Sequence, residues 1–532
     1  MAAEAKLPGH LSYELEMRAE YQPDEEVLSF IDELSLEHVL TYQSIVIQGR
    51  KIANQLLKKG IGKGDRFAVL MHNDPEFIYC LYAAALTGAI MVPLNPMAKS
   101  EQLLYMIKDS GSRGLIFSID CLSKLEGKFN LLSDILVIGV VYRKGVHDAA
   151  GRRFPALNEI LEGPELPPPA IPTQKLANPL EIIYTGSRNR YLKGALIKGA
   201  HLYQLGLYAR VLDYNKNDKL YTALSLSHGN AQVFTLVPSL LSGIPSVISK
   251  KFTRSYVWDI CRKFECTIFS LLGDMMMEIY SEPPKVIDGI HPVKVVISAG
   301  SPVSILREFE NRFNVLIHEF YGSIEFGFAH KLPGIGPIGS FGKPFKTLVD
   351  LKVVDENGRD CEPYERGEIV VRKMDAKSEV EYVDEKLKGW LRTNDMGHVD
   401  ECGWFYFDFH HNINSIGWGN GFKARDIESV IAGIDDIGEV FVYAIDTVLG
   451  AFDKKKIVVA VAPAKGRQVE PGAVFKRCAE KLDSSSIPSY LQLFEKMPMT
   501  FVNSQSGVPH ERGETNHSIV YQFNDFFESS NF

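Results

Sequence analysis

Nowhere does the 532-residue chain sustain the roughly 20 consecutive apolar residues that cross a bilayer, so no membrane span is expected. Basic tracts are missing too. The 58 Lys and Arg face 66 Asp and Glu, a formal charge of −8, with no cluster of the kind that grips nucleic acid. Cysteine is scarce: Cys80, Cys121, Cys261, Cys266, Cys361, Cys402 and Cys478 form an odd, scattered set that excludes a disulfide framework. Cys261 and Cys266 lie close together but have no His or Cys cluster nearby, and read as two buried thiols and not a metal site. The opening MAAEAKLPGH has no basic-then-apolar signal pattern, and the final Ser-Asn-Phe is no peroxisomal address, so a reducing cytoplasm is the expected compartment. Repeats and low-complexity tracts are absent as well. What is present is the composition of a globular protein, 45% hydrophobic and 23% charged, in a chain too long for one ordinary domain.

Strand and helix signals alternate through the first three hundred residues or so. Thr41 to Lys59 carries apolar residues at helical spacing and ends in the Gly60-Ile61-Gly62 break. Phe67 to Met71 is an apolar strand. His72-Asn73-Asp74-Pro75 then offers polar caps with proline in the first turn, and the helix that follows stops at Gly88. Further strand candidates fall at 89–94, 114–119, 135–141, 182–185, 266–272, 294–298 and 315–319, several separated by enough chain for a crossover helix. This predicts α/β architecture with mostly parallel strands. The Pro-rich stretch 164–173 is a surface linker inside it. From about residue 340, shorter strands and turn signals such as Asp355-Glu356-Asn357-Gly358 predict a β-rich subdomain. Strand and helix signals restart beyond 408, so the expected division is 1–408 (two α/β subdomains and the β-rich one) and 409–532, a mobile α+β domain.

The opening segments, from Thr41-Tyr42 through Gly64-Asp65-Arg66, Asn73 to Phe77 and Gly88 to Asn95, resemble the start of an acyl-CoA synthetase. More telling is Tyr184-Thr185-Gly186-Ser187-Arg188-Asn189-Arg190-Tyr191-Leu192-Lys193-Gly194. It resembles the Tyr-Thr-Ser-Gly-Thr-Thr-Gly-Leu-Pro-Lys-Gly loop of the adenylate-forming superfamily of acyl-CoA synthetases, luciferases and peptide-synthetase adenylation domains. There the loop wraps the β- and γ-phosphates of ATP, with glycines admitting the anion to backbone N–H groups. The resemblance assigns Thr185, Ser187, Arg188, Arg190 and Lys193 to this loop. Arg188, Asn189 and Arg190 replace two threonines and a glycine, so the two arginines either clamp phosphate directly or are simply solvated.

The resemblance extends to about residue 515 and implies further roles. Leu226-Ser227-His228-Gly229-Asn230-Ala231-Gln232 is similar to the segment lining the acyl pocket of carnitine- and crotonobetaine-type CoA ligases, which makes His228, Asn230 and Gln232 pocket residues. Gly273 and Asp274 fall near the expected pocket wall, where Asp274 would meet a cationic substrate or only cap a helix. Gly300-Ser301-Pro302 resembles the stretch along the adenine. Tyr321-Gly322-Ser323-Ile324-Glu325 is similar to a Tyr-Gly-x-Thr-Glu motif whose glutamate holds Mg²⁺, which makes Glu325 the metal ligand. Asp395 matches a ribose-binding aspartate, a residue suited to accept two hydrogen bonds from a diol. His410 stands where an arginine that also reaches the ribose is usual, and Asn412 stands at the hinge. Gly419 and Gly421 keep the glycine-rich loop over the thiol tunnel. His228, Glu325 and Lys193 are thus the expected catalytic set, with ATP or AMP, Mg²⁺ and coenzyme A as ligands.

One expected element is missing. Members of this superfamily carry a lysine, in a Pro-x-Thr-x-x-Gly-Lys pattern, that neutralises charge at the α-phosphate. Here the pattern reads Pro498-Met499-Thr500-Phe501-Val502-Asn503-Ser504, and Lys496 is the last lysine in the chain. The expectation is therefore a divergent acyl-CoA ligase-like protein with impaired or altered adenylation, acting on a small carboxylic acid or acyl thioester. The alternatives are a non-adenylating relative that only transfers acyl groups or serves as a binding partner, and an adenylating enzyme that loads an acyl carrier protein or an amine.

Overall fold

The computed structural model describes residues 10–142, 154–167, 177–185, 193–206, 212–323, 327–346, 349–373, 389–410, 424–446, 455–464, 466–482, 487–495 and 518–522. The chain forms two compact units that divide between Val349 and Asp350.

The first unit holds two sheets. Its strands are β1 (Glu26–Asp32), β2 (Ser35–Thr41), β3 (Arg66–Leu70), β4 (Ile90–Leu94), β5 (Ser112–Ser118), β6 (Leu136–Val141), β7 (Pro179–Thr185), β8 (Lys193–Lys198), β9 (Leu220–Thr222), β10 (Ser246–Ser249), β11 (Ile268–Leu272), β12 (Val295–Ala299), β13 (Leu316–Ser323), β14 (Gly327–Lys331) and β15 (Ser340–Pro344). One sheet runs β6-β5-β3-β4-β7-β8, parallel except for β8 at its edge. The other runs β15-β14-β13-β12-β11-β9-β10-β1-β2, with six parallel strands from β13 to β1 and antiparallel strands at either end. The parallel strands read as near-continuous apolar runs because both faces are covered. All five residues of β4 are buried, for example.

The crossover helices follow from local signals. Thr41 caps the helix Tyr42–Lys58 through a capping box with Ser44. The helix Pro75–Thr87 starts on a proline and stops at Gly88, whose φ of 71° only glycine adopts without strain. It is buried along its whole length, a core helix between layers. Between its cap and β3 sits Asn73, whose amide ties the two sheets together. Its Nδ2 donates to the carbonyls of Leu224 and Ser249, both at 2.8 Å, and its Oδ1 accepts from the backbone N–H of Leu226 at 2.8 Å.

The second unit holds strands β16 (Val349–Val354), β17 (Gly367–Lys373), β18 (Leu391–Val399) and β19 (Phe405–His410), where β17, β18 and β19 pair antiparallel as a meander. It also holds a sheet of β20 (Ile437–Asp446), β21 (Lys455–Pro463), β22 (Tyr490–Phe494) and β23 (Ser518–Gln522). The helices Ala424–Ala432 and Pro471–Lys481 supply Ile427, Ile431, Val474 and Phe475 to the core beneath that sheet. No helix among the described residues is long and apolar enough to cross a membrane.

Candidate active site

Parallel strands place their following residues side by side at one edge, and ligands in open α/β sheets bind in the crevice beyond those carboxyl ends. Leu272 at the end of β11 pairs with Ala299 at the end of β12, and Ala299 pairs with Phe320 on β13. Gly273, Gly300 and Tyr321 are therefore neighbours, one from each strand. β9 lies on the other side of β11 and leads into the segment that carries His228. The topology thus gathers His228, Gly273, Asp274, Gly300, Ser301, Pro302, Tyr321, Gly322 and Ser323 at one edge of the second sheet.

Close backbone packing explains the glycines. A Cβ on Gly273 would lie 2.0 Å from the Gly300 carbonyl oxygen, and one on Gly322 would lie 2.2 Å from that of Gly327. Gly300 itself has φ of 69°. Ser301 is buried, and its hydroxyl donates to Ser298 Oγ at 2.9 Å. Beneath this strip Glu319 and Lys331, each 6% exposed, form an ion pair, and Lys331 also donates to the Pro337 carbonyl at 3.1 Å. Burial raises the Glu319 pKa, while Lys331 pulls it down. Tyr321 stacks on Phe341 with ring centroids 4.2 Å apart, which leaves a flat aromatic layer at the end of β13.

His228 opens a short helical turn, Gly229–Ala231, that continues through a π-helical segment, Gln232–Leu236. Such wide turns are frequent at functional sites. The ring's Nδ1 accepts the backbone N–H of Asn230 at 3.1 Å, so the proton of the neutral imidazole sits on Nε2. His228 is exposed, yet the protein around it lowers its pKa by desolvation. The lowered pKa makes the ring a neutral hydrogen-bond donor at pH 7. Asp274, in the first turn of the helix Gly273–Tyr280, is likewise exposed, with its pKa raised by burial and then by Glu278.

The side chain of Gln232 faces the interior. It is 0% exposed, and its Nε2 donates backward to the Leu226 carbonyl at 3.0 Å and to Glu181 Oε1 at 3.4 Å. Asn230 is also buried. Glu181 is a lone glutamate in an apolar strand, which gives no sequence signal of its own.

In the second unit Asp395 and His410 stand opposite each other in the β18–β19 ladder. Asp395 is 2% exposed and lies within a strand, its N–H donating to Thr393 Oγ1 at 3.0 Å. Asn394 takes φ of 55°, and its N–H donates to Glu368. Thr185 and Lys193 pair across β7 and β8. Ser187, Arg188, Arg190, Ile324, Glu325, Asn412, Gly419, Gly421 and Ser504 lie outside the described residues. Among the described residues no group of three or more His, Cys, Asp or Glu is placed to hold a metal ion.

The sequence profile of the AMP-binding enzymes matches residues 15–375, more than half of the chain. The chain belongs to the AMP-binding enzyme family. It is 24% identical over 497 residues to the human (Homo sapiens) long-chain fatty acid transport protein 6, with 87% of this chain and 79% of that protein covered. With the crotonobetaine/carnitine–CoA ligase of Salmonella arizonae it shares 26% over 486 residues, covering 86% and 90%. Among solved structures it superposes on the o-succinylbenzoate CoA synthetase (MenE) of Bacillus subtilis, in complex with ATP and magnesium ion, with a TM-score of 0.74 at 21% identity. That match covers 91% of this chain and 96% of the other. The fold of this family member is thus the mixed α/β fold of the adenylate-forming enzymes.

Proposed function

We propose that this member of the acyl-CoA ligase family binds an acyl group in the His228 recess and a nucleotide or CoA thioester beside it, with adenylation weakened or altered. Acid–CoA ligation is the parent reaction: a carboxylate attacks the α-phosphate of ATP, pyrophosphate leaves, and the thiol of coenzyme A then displaces AMP. The recess supports the acyl half. The neutral His228 presents Nε2–H to a carbonyl or carboxylate oxygen, and Asp274 at the wall would meet a cationic group on the substrate. The strip from Gly300 to Pro302 and the Tyr321 ring provide close backbone and a flat face for an adenine. Asp395 and His410 would take the ribose, Glu325 the magnesium ion, Lys193 and the altered loop the phosphates, and Gly419 and Gly421 the thiol path. Residues from about 409 onward would act as the moving domain.

One observation carries the reading of weakened adenylation: Lys496 is the last lysine in the chain, so no lysine can stand at or after Ser504. Losing one preorganised charge at such a site costs about 10²–10³ in rate. ATP–pyrophosphate exchange across a panel of carboxylic acids tests it, with acyl-CoA binding followed by calorimetry. Weak or no exchange together with measurable thioester binding is the expected result. Exchange as fast as that of an ordinary synthetase would overturn it, and transfer to a carrier protein or an amine in place of coenzyme A would redirect it.

A further inference from the structure

Resting on the reading of the His228 recess as an acyl site, we propose that Glu181 is a positioning residue: acting through Gln232, it fixes the turn that carries His228 and does so in its neutral form. Glu181 sits in β7 opposite Met91 of β4 and Ile197 of β8, with Ile183, Ala195, Val233 and Phe234 in the apolar cluster around it. It is 0% exposed. A charged carboxylate is costly there, since one amide hydrogen bond replaces little of its lost hydration. The helical stretch 229–242 and β4 carry no charged residue, the helix Pro75–Thr87 that also packs against β7 carries the buried Glu76 in its first turn, and β8 carries only Lys193 and Lys198, paired opposite Thr185 and Pro179 at its two ends. Burial drives the Glu181 pKa up to about 8, opposed by the Gln232 hydrogen bond.

The unmet groups point the same way. Glu181 Oε2, Gln232 Oε1 and Asn230 Oδ1 are all buried acceptors without a hydrogen-bond partner among the described residues. A proton on Glu181 turns one of these three acceptors into a donor. Gln232 spends both amide hydrogens, one on Glu181 and one on the Leu226 carbonyl, while its backbone N–H donates to the His228 carbonyl at 3.3 Å. The strand that leads into residues 186–192 is in this way tied to both ends of the His228 segment. Ionising Glu181 leaves a buried charge beside the Gln232 amide, so the turn that Gln232 holds shifts and the His228 ring moves with it.

The test follows the His228 ring resonance by NMR through the range around pH 8, in the wild-type chain and in Glu181→Gln, with His228→Gln used only for assignment. Binding of short-, medium- and long-chain acyl-CoA thioesters is measured in parallel. The expected result is an inflection near pH 8 in the wild type, in addition to the ring's own titration, that Glu181→Gln abolishes. Thioester binding should weaken about tenfold across that step in the wild type alone, the effect of one pKa unit of coupling. A wild type with no inflection near pH 8, or a variant that keeps it, overturns the proposal. If no thioester binds at any pH, the functional reading fails, and the resonance still decides the role of Glu181.

Discussion

Two buried glutamates of the first unit solve the same problem in opposite ways. Glu319, under the Gly300–Tyr321 strip, is held against Lys331 and stays in a salt bridge. Glu181, behind the His228 segment, has among the described residues only an amide for company and is held as the acid. Burial raises the pKa of both; what differs is whether a cation stands close enough to repay the lost hydration. The first region is therefore insensitive to mild alkali, and the second is not.

Removing the partner cation should have the largest effect. Lys331→Met leaves Glu319 buried and unpaired, and denaturant unfolding should show a loss of about 3–5 kcal/mol at neutral pH. The loss should shrink in acid, where Glu319 takes up a proton in both the folded and unfolded states. Glu181→Gln should act in the other direction. With a folded pKa of about 8 against 4.5 for the unfolded chain, Glu181 lowers stability progressively as pH rises between those values. That span caps the gain from substitution near 5 kcal/mol above pH 8. Unmet hydrogen bonds of the new amide should cut it to about 2–3 kcal/mol, with no gain below pH 4.5. Equal pH profiles for variant and wild type would erase the contrast between the two sites.

Smaller effects sharpen it. Gly273→Ala puts a methyl group against the Gly300 carbonyl and should destabilise the fold by about 1–3 kcal/mol in thermal or denaturant unfolding. His228→Ala should change stability by less than about 0.5–1 kcal/mol, because it removes one exposed-ring hydrogen bond, to the Asn230 N–H. Calorimetry should nonetheless show acyl-thioester affinity falling about tenfold. Ser504→Lys should raise exchange by at most about 10²–10³, and a flat response would place the weakness in the altered phosphate loop.

Much of the frame was legible in the sequence, because its signals are local. The helix Pro75–Thr87 follows from a proline start and a glycine stop, and most of the parallel strands follow from apolar runs. The hairpin of β1 and β2 was not legible, since its turn lacks a glycine or Asn-Gly pair. Glu33 itself takes φ of 53° there. His228 stood out through its flanking residues. Glu181 did not, because a charge beside an apolar run marks the end of a predicted strand, and the candidate at 182–185 began one residue too late. The strand in fact runs from Pro179. The resemblance makes Gln232 a pocket residue, whereas its side chain is buried and turned to Glu181 and the Leu226 carbonyl. Only the packing reveals which polar side chains face inward.

The Asn73 side chain has a further consequence. Two of the three hydrogen bonds its amide makes, to Leu224 and Leu226, suspend the chain just before His228 from the first sheet's loop, and the third reaches Ser249 at the end of β10. Conversion of that amide to an acid, as in spontaneous deamidation, would swap a donor for an oxygen that repels two carbonyls. Damage at one remote, buried position would then loosen the recess without touching any group that meets the ligand.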